Sequence, residues 1–391
     1  MPRIDWRKQA IFFIGAVIIC LVAYSVIWAD LGSITYSKDP TQSVSISNDE
    51  STKEVSMPSW PTSLDKDLYD KRLLALVNYT QPQPITATAT NPDGTIASTT
   101  KTVSDLVYDT DTNVTIEDKL WPAAQPYPNG DAIVPFKRIL AYYGNFYSTH
   151  MGILGEIEPD QMLAKLKSAV QEWEAADPTT PVLPAIEYIA MVAQGSAGAD
   201  NMYRAAMPDK EIEKAYALAQ EVDGILILDL QVGRSTIQKE LPQYRKYLER
   251  PDVHLAIDPE FSMKYGEAPG TVIGTYDAND INYVTDFLAA IVKEKELPPK
   301  VLIVHRFTQD MITHTGSIEA KPEVQIIIDM DGWGSKDLKR GTYSHVIVAE
   351  PVQFTGVNLF YKNDLKSPST GILTPTEVLG LDPKPVYIQY Q

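Results

Sequence analysis

The sequence predicts an α/β protein, a (β/α)8 barrel of TIM type, behind an N-terminal transmembrane helix and a polar stalk. Three observations carry this. Short apolar segments alternate with amphipathic stretches from residue 136 to residue 391. Those segments are apolar almost without interruption, as strands buried on both faces of a parallel sheet must be. Connections from helix to strand are short, whereas several from strand to helix are long, which puts the insertions on the face where barrel enzymes keep their sites. The repeat occupies about 255 residues, close to the ~250 of a typical barrel, and its C-terminal half is the less regular. A doubly wound open sheet is the runner-up. The first strand runs into Tyr143-Gly144-Asn145 rather than G-x-G-x-x-G, so no nucleotide cofactor is expected.

Residues 10–29, AIFFIGAVIICLVAYSVIWA, carry no charge. At ~1.5 Å per residue they span roughly the 30 Å of a bilayer core. Arg3, Arg7 and Lys8 precede them and Asp30 follows. The excess of basic residues keeps residues 1–9 in the cytoplasm and sends the rest outside. A cleaved signal peptide is the alternative, but its apolar run is usually only about 7–15 residues long. The expectation is a single-pass protein of the cell membrane with an extracytoplasmic barrel.

Residues 30–130 read as a polar linker with a small accessory element. Ser33 to Pro61 lacks apolar periodicity and suits a spacer. Leu64 to Tyr79 suits a short helix with Leu68, Leu73, Leu76 and Val77 on its apolar side. Ile85 to Thr102 alternates around Asn91-Pro92-Asp93-Gly94 and reads as a hairpin. The barrel domain is expected over 131–391. Its strands are Arg138–Tyr143, Val182–Ile189, Gly224–Leu230, Val253–Asp258, Val301–His305, Val324–Asp329, Gly356–Tyr361 and Val386–Tyr390. Leu163, Leu166, Val170 and Trp173 recur at helical spacing, as do Ile281, Val284, Leu288 and Ile291. Asp277 or Asn279 suits the cap of the latter helix. The gap between the fifth and sixth strands leaves room only for a brief or irregular helix. The long loops are Gly144–Glu158, Met191–Pro208 and Phe261–Asn279.

Lys and Arg total 34 against 51 Asp and Glu, a net charge of −17, which argues against nucleic acid as a partner. One cysteine excludes an intramolecular disulfide and a cysteine-cluster metal site, and five histidines make a His-rich zinc site a poor fit. Chemistry then falls to carboxylates, and these gather where the apolar strands stop. Glu187 lies late in the second strand, the third ends Asp229-Leu230-Gln231, and the fourth ends Asp258-Pro259-Glu260. His305 ends the fifth, Asp329-Met330-Asp331 ends the sixth, and Lys362 and Asp364 follow the seventh. Residues i and i+2 of an extended chain face one side, so three strands each offer a polar pair to one mouth. Converging anions must shift their proton affinities apart or be compensated. Two carboxyls of unequal affinity are what glycoside cleavage requires. The catalytic candidates are Glu260, Asp258, Asp331 and Asp229. Asp331 is preferred to Asp329 because it sits one step further into the loop layer. Tyr143, Glu187, Gln231, His305, Trp333 and Lys362 are the substrate-binding candidates, with Trp333 and Tyr142 or Tyr143 as platforms for a sugar face. Core packing for Trp333 and a structural role for His305 are the alternatives. Neither a metal nor another cofactor is required, although a carboxylate-rich site also suits Mg²⁺ or Ca²⁺.

The Asp258-x-Glu260 pair resembles the family-25 lysozymes and, more loosely, family-18 chitinase-like barrels. By that resemblance Glu260 is the general acid, and Asp258 orients it or positions an N-acetyl group. The chain departs from those lysozymes on its first strand, where Ala141-Tyr142-Tyr143-Gly144 stands in place of their aspartate. Over nearly the whole barrel, YYGN, MGILGE, VAQGS, LDLQVGRST, IDPEFSM, PPKVLIVHRFT, DMDGWG and PVQFTGVNLFYKND are similar to an uncharacterised family of membrane-anchored or secreted bacterial proteins. The resulting expectation is a surface-anchored glycoside-hydrolase-like barrel whose partner is a carbohydrate or cell-envelope polymer. The alternatives are a non-catalytic barrel that binds glycan or protein, and a Mg²⁺- or Ca²⁺-dependent hydrolase.

Overall fold

Eight parallel strands close on themselves. They are β1 (Arg138–Gly144), β2 (Val182–Ala193), β3 (Ile225–Leu230), β4 (Val253–Ile257), β5 (Lys300–Arg306), β6 (Val324–Met330), β7 (Phe354–Leu359) and β8 (Tyr387–Tyr390). β8 pairs with β1, Tyr387 opposite Ile139, and β1 pairs with β2, Arg138 opposite Val182, so the sheet has no free edge among these strands. In this computed structural model the described residues are 62–77, the strands at 86–90 and 96–100, and 121–391. The apolar run 10–29 and the spacer 33–61 lie outside them. No helix among the described residues is long and apolar enough to cross a membrane. The expected hairpin is present, Thr86–Thr90 pairing antiparallel with Ile96–Thr100.

The chain's first described helix, α1, is Lys66–Ala75. Around the barrel lie α2 (Pro159–Ala176), α3 (Asp209–Gln220) and α4 (Ala278–Lys295). Asp277 caps α4, and the Asp280 side chain accepts from the Asp277 N–H in return, completing a capping box. Between β5 and β6 lie the 3-10 turns Gln309–Met311 and Thr315–Ser317 and the two-residue strand Ile312–Thr313, in place of a full helix, as the short spacing requires. The β2 strand runs four residues past its expected end at Ile189. A bulge between Ile189 and Met191 re-aims it, and Arg204–Ala206 pairs antiparallel with Met191–Ala193. Part of the loop expected at Met191–Pro208 is therefore a hairpin arm standing on the mouth of the barrel, and Glu187 lies in mid-strand.

Alternation along the strands divides the core in two. Leu140, Tyr142, Ile186, Tyr188, Leu226 and Leu228 face outward and pack under Leu163, Leu166 and Trp173 of α2 and Ile212 and Leu218 of α3. Ile139, Ala141, Ala185, Ile225, Ile227, Ala256, Val301, Ile303, Ile327 and Tyr387 face inward and form a separate cluster. Nearer the strand ends this inward stripe changes to Tyr143, Glu187, Asp229, Asp258, His305, Asp329, Asn358 and Gln389, one from each strand or its end.

The N-terminal end of the lumen is closed by a piece of the segment expected as linker. Asp65 caps α1 by accepting from Leu68 N at 2.9 Å. Tyr69 is buried in the inward-facing cluster, with Leu64, Leu73 and Leu76 packed beside it. Its ring meets Phe136 and Tyr127 at centroid distances of 5.9 and 5.8 Å. Arg72 donates to Thr179 O at 2.7 Å, and Lys384 N donates to Leu76 O at 2.6 Å. α1 therefore packs against the barrel, although it lies in the segment expected as linker. In the full chain Tyr69→Ala is expected to cost ~3–5 kcal/mol, the usual loss for a large aromatic removed from a core. Leu68→Ala, on the exposed face, is the control expected within ~0.5 kcal/mol of the parent. Equal denaturation midpoints for the two variants would show that α1 does not support the barrel.

Candidate active site at the carboxyl ends of the strands

The inward polar layer is built from contacts that cross the lumen. The Tyr143 hydroxyl on β1 donates to Asp229 Oδ2 on β3 at 3.0 Å, passing over β2. Gln231 Nε2, one step further along the same face, donates to Tyr143 Oη at 3.2 Å and reaches Asp258 Oδ2 at 3.5 Å. Its Oε1 accepts from Ala193 N at 3.1 Å, tying the β2 arm to the site. His305 on β5 bridges two carboxyls. Its Nδ1 is 3.1 Å from Asp329 Oδ2 on neighbouring β6, and its Nε2 is 3.2 Å from Glu187 Oε1 on distant β2. The Tyr387 hydroxyl on β8 donates to the second oxygen of Glu187.

Above this layer stand Glu260 and Asp331, both half-buried. Asp258 ends β4 and caps the 3-10 turn Pro259–Phe261, accepting from Glu260 N at 3.1 Å. That bond and Pro259 fix the direction in which Glu260 leaves the strand. Gly274 N donates to Glu260 O at 2.7 Å, and a Cβ at Gly274 would lie 2.7 Å from the same oxygen. Asp331 accepts from Asn358 Nδ2 on β7. The loop after it is pinned by a buried ion pair, in which Lys339 Nζ lies 3.1 Å from Asp364 Oδ2 and 2.7 Å from Gly332 O. Asp364 also accepts from Gly334 N and Phe360 N at 2.9 and 3.0 Å. Gly356 keeps β7 close to the carboxylate layer, since a Cβ there would stand 2.6 Å from Asp329 Oδ1.

Burial raises the proton affinity of these carboxyls. Glu260 is pushed up to about 8 by burial and by the neighbouring Asp331 charge, with His305 opposing. Asp331 rises to about 7, again through burial, with His305 opposing. Asp229 rises to about 7 and Asp258 well above the ordinary range for the same first reason. His305 moves the other way from a simple buried histidine. Burial alone would strip its second proton, but the hydrogen bonds to Asp329 and Glu187 hold it well above the usual value. Asp229 Oδ1, Asp329 Oδ1 and Asn358 Oδ1 are buried and accept no hydrogen bond from the protein.

The expected catalytic set thus occupies one mouth, with Asp229 and Asp258 buried beneath Glu260 and Asp331. Tyr143, Glu187, Gln231 and His305 belong to the same network. Lys362 points elsewhere, reaching Glu156 at 2.7 Å on the rim. Trp333 is half-buried with Lys366 Nζ 4.9 Å above its ring. Tyr142 faces outward, its hydroxyl 2.8 Å from that of Tyr361. Asn358, Gln389 and Tyr387 were not expected in the site. For Asn358 and Gln389 the signal was the same alternation, a polar residue on an inward position near a strand end, whereas Tyr387 stands at the start of its strand. Among the described residues His305, Asp329 and Asp331 alone bring three such donor side chains within 4.8 Å of one another. Both His305 nitrogens face carboxylate oxygens, Nδ1 that of Asp329 and Nε2 that of Glu187.

No protein-family model and no curated protein matches the chain. Solved structures similar to it include a Bacillus subtilis mannanase, at 12% identity over 65% of this chain and 80% of that one, TM-score 0.36. A hyperthermophilic endo-β-1,4-glucanase in complex with substrate is 7% identical over 64% of this chain and 88% of that one, TM-score 0.34. A ruminal GH26 endo-β-1,4-mannanase is 10% identical over 65% and 58%, TM-score 0.30. These are other enzymes than the lysozymes and chitinase-like barrels that the Asp258-x-Glu260 pair resembles.

The raised affinity of Glu260 has a stability consequence. An unfolded glutamate titrates near ~4.3, whereas folded Glu260 holds its proton to about 8. Between those values the folded state binds more protons, so this group's contribution is fully present at low pH and is lost as pH rises through about 8. Glu260→Gln is therefore expected to raise the melting temperature above the parent at about pH 9 and to change it little at about pH 4. A variant destabilised at both pH values would mean that Glu260 is held as a paired carboxylate.

Proposed function

We propose that the barrel is a glycoside hydrolase acting on envelope or extracellular polysaccharide, held at the cell surface through residues 10–29. One observation carries the reading. Two carboxyls, Glu260 and Asp331, stand half-open at the mouth of a closed barrel, each pushed toward neutral pH by burial, Glu260 above Asp331. In this reading Glu260, the stronger proton holder, gives its proton to the glycosidic oxygen as the bond to the anomeric carbon breaks. Asp331, ionised, meets the positive charge developing at that carbon, as nucleophile or as base for water. Asp258 holds the backbone of Glu260, and Tyr143 with Gln231 ties Asp229 and Asp258 into one network. Water completes the cleavage and leaves a new reducing end. The alternative, a barrel that binds glycan without cutting it, draws on the burial of Asp229 and Asp258 below the surface of the mouth.

The test is release of reducing ends by the full chain from chito-oligosaccharides, peptidoglycan, β-mannan and β-glucan. Glu260→Gln is expected to lose ~10²–10⁴-fold in kcat while still binding the same polymer. The rate should rise through about pH 7 as Asp331 ionises and fall through about pH 8 as Glu260 loses its proton. Activity displayed by intact cells should vanish when protease is added outside. Polymer binding that is equal in parent and variant, with no reducing ends from either, would establish the binding module instead. Activity resistant to external protease while accessible controls are cut would overturn the surface location.

A further inference from the structure

His305 contacts two carboxylates, one with each ring nitrogen, at 3.1 and 3.2 Å. A neutral imidazole has one N–H and one bare nitrogen, and a bare nitrogen set against an ionised oxygen is repelled. Either His305 carries both protons or one of the carboxyls carries one. The Tyr387 hydroxyl lies against the other oxygen of Glu187 and 2.6 Å from Gln389 Oε1, so its one proton has two acceptors. The layer as a whole favours the doubly protonated ring. His305 faces Glu187 from β2, Asp229 from β3, Asp258 and Glu260 from the end of β4, and Asp329 and Asp331 from β6. The Tyr143 ring on β1 stands edge-on to it at 6.2 Å. Lys339 is the other cation acting on Asp329 and Asp331, and its ammonium is held by Gly332 and Asp364.

We propose that His305 is a positioning residue, a lasting imidazolium clamped between Glu187 and Asp329, whose charge governs how readily the carboxyls of the mouth ionise. It is buried beneath Glu260 and Asp331, so it acts through them rather than on substrate. A cation near a carboxyl favours the ionised form, and removing one raises the carboxyl's proton affinity. His305 opposes the upward shifts of Asp229, Asp258, Glu260 and Asp331 alike. The proposed charge state rests on the two ring contacts and the carboxyls around them. Its effect on turnover rests on the glycosidase reading.

The experiment uses the full chain labelled with ¹⁵N-histidine. Two-bond ¹H–¹⁵N spectra should show both nitrogens of His305 protonated from about pH 6 to above pH 8, beyond the ~6.5 of a free side chain. A single neutral tautomer at about pH 7 would overturn the proposal. In His305→Gln the ¹³C-labelled carboxyl of Glu260 should titrate about one unit higher, a tenfold gain in proton affinity. An unchanged titration would overturn it as well. Should His305→Gln fail to fold, Glu187→Gln removes one arm of the clamp and should lower the pH at which His305 loses its second proton; no change would count against the clamp. In an active enzyme the alkaline limb of the His305→Gln rate profile should move up with Glu260, whereas a purely structural histidine would lower the rate and leave the limb in place. The spectra need no substrate, so failure to hydrolyse any glycan would count against the proposed function without touching this inference.

Discussion

A closed sheet gives every strand one inward stripe, and the stripes of eight strands must fill one lumen. This constraint organises the molecule. In the lower layers the stripe is Ile, Val and Ala, and the lumen fills by close packing, with Tyr69 of α1 seated at its base. In the last layer the stripe turns polar, and buried polar groups must find partners or remain costly. Some partners stand on the next strand, as Asp329 does for His305, and others lie across the lumen. Tyr143 reaches Asp229 and His305 reaches Glu187 across it. The site is the point at which an apolar plug gives way to a network of acids.

The network is unequal, and the inequality is what makes chemistry possible. Six carboxyls share the mouth and its floor, and one histidine stands among them. Their mutual repulsion and burial favour protonation, while the imidazolium opposes it. Glu260 lies in the middle of a 3-10 turn, above the floor, and retains more of its proton than Asp331 does. Loops hold these two in place by backbone contacts. Asp258 and Gly274 fix Glu260, while the Lys339–Asp364 pair fixes the Asp331 loop through the carbonyl of Gly332 and the N–H of Gly334.

Much of this was legible in the sequence, because both signals involved are local. All eight strands announced themselves as apolar runs, and the i, i+2 spacing of Asp229-x-Gln231, Asp258-x-Glu260 and Asp329-x-Asp331 showed which residues share a face. What was not legible depends on closure. Tyr387 begins its strand among apolar neighbours, and only the β8–β1 seam brings it to Glu187. Asn358 and Gln389 are ordinary amides until β7 and β8 are set beside Asp331 and Tyr387. The docking of α1 rests on one buried tyrosine and a few partly buried leucines, too small an apolar face to stand out in a polar segment. The extension of β2 arises from pairing with Arg204–Ala206, a contact across a hairpin whose turn has no strong local signature.

In the proposed reaction Glu260 is the group that meets the bond to be cleaved. The most direct measurement is a crystal structure of the Glu260→Gln chain with an oligosaccharide that the parent cleaves. The scissile glycosidic oxygen is expected within ~2.6–3.2 Å of the residue-260 side chain, with Asp331 next to the anomeric carbon. A sugar seated on another face of the barrel, or lying across the mouth with both carboxyl positions out of reach, would contradict it.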